Sequence, residues 1–423
     1  MPERRLSTPL ALRKLTIASL LLLLAGCATR SYEAPDVELV GKDAVVVESR
    51  LLDLGLIVFD PGLPEDVEET PDEVDADIRQ AESRFFAYHM KTTLQDTGHW
   101  GAIRVIPNES VVSDVQVSGV VRHSDGNKVK IEVWARDSRG KRWFSKRYST
   151  RTDRKDFSKR RDRMADPYQN VFNEVANDLF QAMRKLSDEE IEDIRTVSRM
   201  RFYADMAPEV FGDYVEQDRK GRYEVVRLPA DSDPMAQRLD KIRNHDALFQ
   251  DTLNEHYANF YFGIALPYES WRQSSREAEL EYQRLRKSAL LRGLAGIAMV
   301  AAATQTTTGN RNDSNLVRRT RGSLRNYAYI SGINVFFSSF GRLAEARMQR
   351  QTIKELSDSF GDEAAPMVVE VEGQSQRLTG TASSQYDQWR DLLRQMNEVE
   401  TGFSSSPNIG INGRTGDSAE NGG

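Results

Sequence analysis

The stretch from Asp114 to Ser149 constrains the fold most, because three runs of alternating apolar residues are separated there by two tight-turn sequences. The turns read "DGN" at 125–127 and "SRG" at 138–140. A period of two places apolar side chains on one face of a strand, and glycine in a short loop favours chain reversal. The sequence therefore predicts a three-stranded antiparallel meander with the apolar positions Val115, Val117, Val129, Ile131, Val133, Trp143 and Phe144.

Further elements are predicted on both sides of the meander. "LLDLGLIVF" at 51–59 and "WGAIRVIP" at 100–107 are typical of strands, while 77–95 shows helical spacing that ends before Gly98. A second helix is expected after Pro167, since proline favours the first turn. The order strand, helix, strand, meander, helix indicates an α+β domain at 50–186, in which helices cover one face of a mixed sheet.

This predicted domain resembles the N-terminal domain of TolB-type periplasmic proteins and the related envelope lipoproteins of the CsgG and LpoB kind. The resemblance rests on the "SGVV" strand, on "VKIEVWARDSRGKRWFSKRY" with its Asp-x-x-Gly-Lys-x-Trp hairpin, and on the helix after Pro167. It covers about residues 50–186. It implies a docking module of an envelope assembly and says nothing of catalysis.

The N-terminus is typical of a lipoprotein signal. Basic residues precede a short apolar core at 15–24, and "LAGC" ends at Cys27, which is the only cysteine of the chain. The sequence resembles the bacterial lipobox, which implies cleavage after residue 26 and acylation of Cys27, with palmitate among the acyl chains. Because Ala28 rather than aspartate follows, we expect a lipid-anchored protein of the outer membrane that faces the periplasm, with 27–49 as a tether.

The charge balance argues against a general nucleic-acid partner. The precursor has a net charge of −6, and removing the +3 of residues 1–26 gives −9. Nucleic-acid binding would call for a basic domain. With 39% hydrophobic and 29% charged residues, we expect a soluble body on a lipid tether.

The rest of the chain is predicted to be mainly helical. Ser187 and Glu190 form a capping-box pattern that opens the helical region 187–265. A break is expected at Pro267, followed by a long helical hairpin over 266–363. Residues 364–400 read as a small strand-strand-helix unit, and 401–423 as a disordered tail.

A run of small residues, "LLRGLAGIAMVAAATQTTTGN" at 290–310, lies within this hairpin. Its apolar part, 290–303, is fourteen residues long and therefore too short for a simple membrane span. Its small side chains would let the second helix of the hairpin approach closely and pack its bulky residues, such as Phe337 and Phe340, against them. A seam within one chain, an oligomer or pore-lining contact, and bilayer insertion remain open; the candidate seam residues are Gly293, Gly296, Ala298, Ala302, Phe337 and Phe340.

Residues 141–163 hold eleven Lys or Arg against three acids, with aromatic residues between them. Such a segment could bind an acidic partner, lipopolysaccharide phosphates or peptidoglycan. The simpler interpretation is a charged edge strand and a solvated loop. The candidate residues are Lys141, Arg142, Lys146, Arg147, Arg151, Arg154, Lys155, Lys159, Arg160, Arg161 and Arg163.

No catalytic motif is recognised, and the five histidines are scattered without a zinc-type pair. We therefore expect no enzyme activity, no metal and no cofactor. The main hypothesis is a docking or assembly scaffold with an envelope protein partner. The alternatives are an oligomeric secretion or export component and a peptidoglycan-binding protein or synthase regulator.

Overall fold

The computed structural model describes residues 36–41, 44–64, 75–153, 155–158, 166–306, 348–358, 367–371 and 374–401. Side chains are described in the same ranges except at 282, 285–306, 370, 371, 374 and 399–401. The architecture is α+β, as the sequence predicts. A mixed sheet is followed by a long helical region and a small C-terminal strand pair with its helix.

The sheet has five strands in the order β2-β1-β3-β4-β5. They are β1 Leu54–Ile57, β2 Ile103–Ile106, β3 Val115–Ser124, β4 Lys128–Asp137 and β5 Arg142–Arg151. β1 is parallel to both β2 and β3, whereas β3, β4 and β5 form the predicted antiparallel meander. Gly126 and Gly140 take positive φ at its two turns, which most other residues avoid.

Helices cover one face of this sheet. On β4 the alternate residues Val129, Ile131, Val133 and Ala135 are buried. They form one core with the buried residues of α1 (Ala76–Gln95) and α2 (Gln169–Arg184). The period of two in the sequence thus selects the face that the helices cover.

Part of the segment assigned to the tether is attached to α2. Asn170 and Asn177 accept hydrogen bonds from the backbone N–H groups of Val37 and Val40 at 2.8 and 2.7 Å. Asn173 donates to the Val37 carbonyl oxygen at 2.6 Å. Residues 36–41 therefore lie along α2, held by asparagines on one helical face.

A second group of elements follows the sheet. α3 (Asp188–Met206) begins with the predicted capping box, in which Ser187 and Glu190 bond reciprocally. The short helix α4 (Pro208–Phe211) leads to a hairpin of β6 (Val215–Gln217) and β7 (Tyr223–Val225). This hairpin lies beside the β4–β5 turn, where the Tyr223 N–H donates to the Arg139 carbonyl oxygen at 2.9 Å.

The helix α5 runs without interruption from Pro234 to Thr306, over 73 residues. The break expected at Pro267 is therefore wrong. Pro267 lacks the N–H that would donate to the carbonyl oxygen of Gly263, four residues earlier in the helix. Gly263 has no side chain, and no atom of the described residues beyond the adjacent helical backbone lies within 4 Å of the position that a Cβ atom would occupy there. Ile264, Tyr268 and Trp271 are buried on both sides of the proline, so packing holds the two halves in one helix.

The C-terminal elements return to the body. The hairpin of β8 (Met367–Val371) and β9 (Gln374–Leu378) precedes α6 (Ala382–Thr401), which packs against the start of α5. Trp389 of α6 stacks on Phe249 with ring centroids 4.8 Å apart. Within the described residues, no helix is both long and apolar enough for a membrane span.

Candidate functional site

Several predicted site residues lie outside the described part of the chain. This applies to the acylation candidate Cys27 and to Phe337 and Phe340. Gly293, Gly296, Ala298 and Ala302 lie on α5, where only the helical backbone is described. The predicted seam therefore stays a prediction.

The basic segment is only partly described, and three of its cations are paired within the chain. Lys141 contacts Glu190 at 3.0 Å, Lys146 contacts Asp178 at 2.7 Å, and Arg147 contacts Glu132 at 3.2 Å. Arg142, Arg151 and Lys155 are exposed. Arg154, Lys159, Arg160, Arg161 and Arg163 lie outside the described residues. The described part of the segment is thus an edge strand with several neutralised charges.

A different cluster, which we name the junction, joins α5 to the sheet domain. It consists of Glu82 and His89 on α1, Asp166 and Gln169 at the start of α2, and Tyr261, Tyr268 and Arg272 on α5. Arg272 donates to Asp166 at 2.8 Å, and only 2% of Arg272 is exposed. Glu82 is fully buried and accepts hydrogen bonds from Tyr268 at 2.6 Å and from Ser124.

The surroundings of Arg272 compensate its burial. Its guanidinium carbon lies 4.1 Å from the ring centre of Tyr268 and 5.1 Å from that of Tyr168, which are cation-π distances. Burial alone would raise the pKa of Asp166, but the positive charge of Arg272 reverses the shift and lowers it. The two groups are therefore a buried ion pair that each partner stabilises.

Burial raises the pKa of Glu82, although Arg79 and the two hydroxyl donors oppose the shift. Arg79 lies on the same helix at 3.8 Å from Glu82. The contrast with Asp166 follows from geometry, because Arg272 contacts Asp166 directly at 2.8 Å. The charged form of Glu82 is thus less stabilised than the charged form of Asp166.

His89 completes the junction, and its neighbours fix its tautomer. Gln169 donates through Nε2 to Thr93 and Asn173, so its Oε1 accepts from Nε2 of His89 at 2.8 Å. Nδ1 of His89 then accepts from the Tyr261 hydroxyl at 2.8 Å. Burial lowers the pKa of His89, which agrees with a neutral imidazole.

α5 also covers the edge of the sheet that is formed by β2. The Asn254 side chain accepts from the Val105 N–H at 2.8 Å and donates to the Val105 carbonyl oxygen at 3.2 Å. One side-chain amide thus replaces a neighbouring strand on β2. Arg104 on this strand pairs with Asp251 at 2.7 Å. An exposed edge would invite pairing with other chains, and the helix prevents it at this position.

The ionisable groups of the junction are partnered mainly with one another. A carboxylate, an imidazole, a phenol and a guanidinium meet there, but they are buried and bonded to one another. Among the described residues, no group of three or more His, Cys, Asp or Glu could hold a metal ion. The cluster therefore suits a rigid joint better than a site that receives a substrate.

The sequence offered one signal for this joint. The stretch 257–271 holds six aromatic residues, a density that favours core between helices over an exposed aromatic platform. Tyr257, Phe260, Tyr268 and Trp271 are buried. Phe262 differs, since 63% of it is exposed. The charged members of the junction escaped prediction, because Asp166 and Arg272 are 106 positions apart.

Comparisons with known proteins identify no family for this chain. No protein-family profile matches it, and no curated protein matches it. Among solved structures, a PelC dodecamer from Paraburkholderia phytofirmans is similar to 36% of this chain and 96% of that chain. The identity is 15% and the TM-score is 0.20, so this similarity indicates neither the fold nor the function of the chain.

Proposed function

We propose that this chain is a non-enzymatic outer-membrane lipoprotein that acts as a docking or assembly scaffold in the periplasm. The observation that carries the proposal is the rigid attachment of a very long helix to a compact sheet domain. The junction fixes α5 through a buried ion pair and several buried hydrogen bonds. An element that is attached in this way moves together with the domain.

The length of α5 supports a role as an arm. Arg276 lies over Phe157 of the sheet domain, and the helix continues to Thr306, which is 30 residues further. At 1.5 Å per residue, these residues extend about 45 Å. A rigid arm of this length suits a protein that holds other components at a distance.

The chain returns to the same place on the body. In the helical segment 348–358, Arg350 and Lys354 pair with Asp77 at the start of α1. About two helical turns after Asp77, Arg84 donates to Ser357 at 2.9 Å. This segment is therefore parallel to α1. Arg84 also lies over Phe260 of α5. α5 at Phe260 and the segment 348–358 are thus both in contact with α1 of the sheet domain.

The anchor would hold the body close to the bilayer. Residue 37 is already bonded to α2, so at most ten residue steps separate it from Cys27. A chain of that length spans no more than about 35 Å even when fully extended. Acylation of Cys27 would therefore place the sheet domain near the membrane and leave the arm to reach further.

Two exposed apolar side chains on α5 offer a docking surface for a protein partner. Phe262 and Leu266 are one helical turn apart, and 63% and 76% of them are exposed. Phe262 also contacts the ring of Tyr88, so it is held by the body rather than free to turn. Aromatic side chains are enriched at the cores of protein interfaces, and Phe262 is an aromatic residue held in one orientation.

The anchor is tested by metabolic labelling with an alkyne analogue of palmitate. We expect label on the wild-type protein and none on a protein in which residues 28–423 follow a cleavable secretory signal without a cysteine. The second protein should leave the membrane fraction. Membrane retention without acylation would contradict the lipid anchor.

The docking role is tested with a photo-crosslinking residue at Phe262 or Leu266 in intact cells. We expect one envelope protein to be captured at both positions and not at the exposed Gln273 on the same helix. With the crosslinking residue at one of these two positions, a glutamate at the other (Phe262→Glu or Leu266→Glu) should abolish the capture. Equal capture at Gln273, or none at Phe262 and Leu266, would contradict docking at this surface.

A further inference from the structure

A polar cavity of about 310 Å³ lies between the β4–β5 turn and the β6–β7 hairpin. Four of its lining side chains carry positive charge, on β4, β5, α3 and the β6–β7 turn. Two glutamines also line it. These residues are Arg136, Arg142, Arg201, Lys220, Gln116 and Gln217.

The acids that line this cavity do not balance the four cations. Asp137 accepts hydrogen bonds from the Arg139 guanidinium, the Lys141 N–H and the Trp143 indole. Glu109 is 4.0 Å from Arg136, the limit for an ion pair. Among the described residues, Arg142, Arg201 and Lys220 contact no carboxylate within ion-pair distance. The cavity therefore has an excess of positive charge.

Arg201 is held in place by neutral partners. Its guanidinium lies 3.9 Å from the ring centre of Tyr223, and one of its nitrogens donates to the Ser138 carbonyl oxygen at 2.8 Å. Burial lowers the pKa of Arg201, and the nearby positive charge of Arg136 lowers it further. A guanidinium remains charged at neutral pH, so this cation is fixed without a counter-charge.

We propose that this cavity binds a small hydroxylated molecule through its carboxylate or phosphate group. Two forked guanidiniums, Arg136 and Arg201, match the geometry of such an oxyanion. Gln116 uses its Nε2 on two backbone carbonyl oxygens, which leaves Oε1 to accept from a hydroxyl. The volume is near the lower limit of ligand sites and suits an acidic sugar or a sugar phosphate.

This inference does not depend on the scaffold role. Among the described residues of the basic segment, Arg142 alone lines the cavity. The other three cations come from distant parts of the sequence. An anion would reduce the repulsion between Arg136 and Arg201, so binding should also stabilise this end of the fold.

The test is calorimetric titration of the purified protein at constant ionic strength. The probes are glucuronate, glucose 6-phosphate and, as a neutral control, glucose. We expect saturable binding of at least one anion with a Kd below about 1 mM, no binding of glucose, and a higher melting temperature with the anion. The preferred probe distinguishes a carboxylate from a phosphate ligand. If neither anion binds more tightly than glucose, the proposal fails.

Variants locate the binding. Arg136→Gln and Arg142→Gln are partly or fully exposed and should each weaken binding roughly tenfold without unfolding the protein. The matched control is Arg147→Gln, which makes the same charge change on β5 but removes a pair with Glu132 away from the cavity. An equal loss in Arg147→Gln would show general charge attraction and overturn the assignment.

Discussion

Two buried or half-buried arginines of this protein have opposite surroundings. Arg272 at the junction has a carboxylate partner at 2.8 Å and three aromatic rings around it. Arg201 at the cavity has one ring, one carbonyl oxygen and a second arginine nearby. Among the described residues, the fold thus gives the first cation a carboxylate counter-charge and leaves the second without one. We interpret the cation with a counter-charge as part of a joint and the cation without one as part of the proposed binding site.

Two buried aspartates also differ in whether a charge of the opposite sign lies beside them. The positive charge of Arg272 lowers the pKa of Asp166 despite its burial. Asp246 on α5 accepts from Gln250 at 2.8 Å and from Tyr386 at 3.2 Å, but no cation lies within ion-pair distance among the described residues. Burial raises the pKa of Asp246 to about 6. The comparison therefore predicts opposite dependences of stability on pH at the two sites.

The largest effect is expected at the junction. Arg272→Met leaves Asp166 as a buried, unpaired carboxylate and should lower the free energy of unfolding by about 3–5 kcal/mol. Chemical denaturation followed by circular dichroism measures this change. The control is Arg350→Met, which removes half-exposed pairs with Asp75 and Asp77 and should cost about 1 kcal/mol or less.

A second variant separates charge from packing at the junction. Asp166→Leu combined with Arg272→Met replaces the ion pair by apolar side chains and should recover most of the loss. If Arg272→Met is no more harmful than Arg350→Met, the junction does not hold α5 in the way that its contacts indicate.

The next effect is expected at Asp246. Its folded pKa of about 6 lies above the unfolded value near 4, so the native state binds the extra proton between these pH values. The free energy of unfolding should therefore fall by roughly 2–3 kcal/mol as the pH rises from about 4 to about 6, and Asp246→Asn should remove this fall. Denaturation of both proteins at several pH values measures the difference. A constant difference across this window would contradict the prediction.

The sequence predicted much of the sheet domain because its elements depend on local rules. Alternation and the turn glycines Gly126 and Gly140 defined the meander, and Ser187 with Glu190 defined the start of α3. The Pro267 break was wrong because burial on both sides of the proline outweighs one missing hydrogen bond. Local patterns give no weight to such tertiary packing.

The two sites were less predictable, because each combines distant residues. The cavity unites Arg136, Arg142, Arg201 and Lys220 from four elements, so no window of sequence contains the site. The basic segment drew attention through its charge density, yet Lys141, Lys146 and Arg147 have partners inside the chain. Charge counts along a sequence cannot show which cations the fold neutralises.

A smaller effect is expected where α5 covers the sheet edge. Asn254→Leu keeps the approximate volume but leaves the N–H and carbonyl groups of Val105 without their side-chain partner. The free energy of unfolding should fall by about 1–3 kcal/mol. Asp251→Asn on the same helix is the control and should cost less than about 1 kcal/mol, since its pair with Arg104 is partly exposed. Equal losses would mean that Asn254 does not act as a substitute strand.

The smallest effect is expected for a paired cation of the basic segment. Lys141→Gln removes a half-exposed contact with Glu190 and should change the free energy of unfolding by less than about 1 kcal/mol, with the difference vanishing in high salt. The same variant should leave anion binding at the cavity unchanged, whereas Lys220→Gln should weaken it. Parallel denaturation and titration of both variants measure the two properties. A loss of binding in Lys141→Gln equal to that in Lys220→Gln would mean that total charge, rather than unpaired charge, attracts the anion. The distinction between satisfied and unsatisfied cations would then fail at the protein surface, even if it holds at the junction.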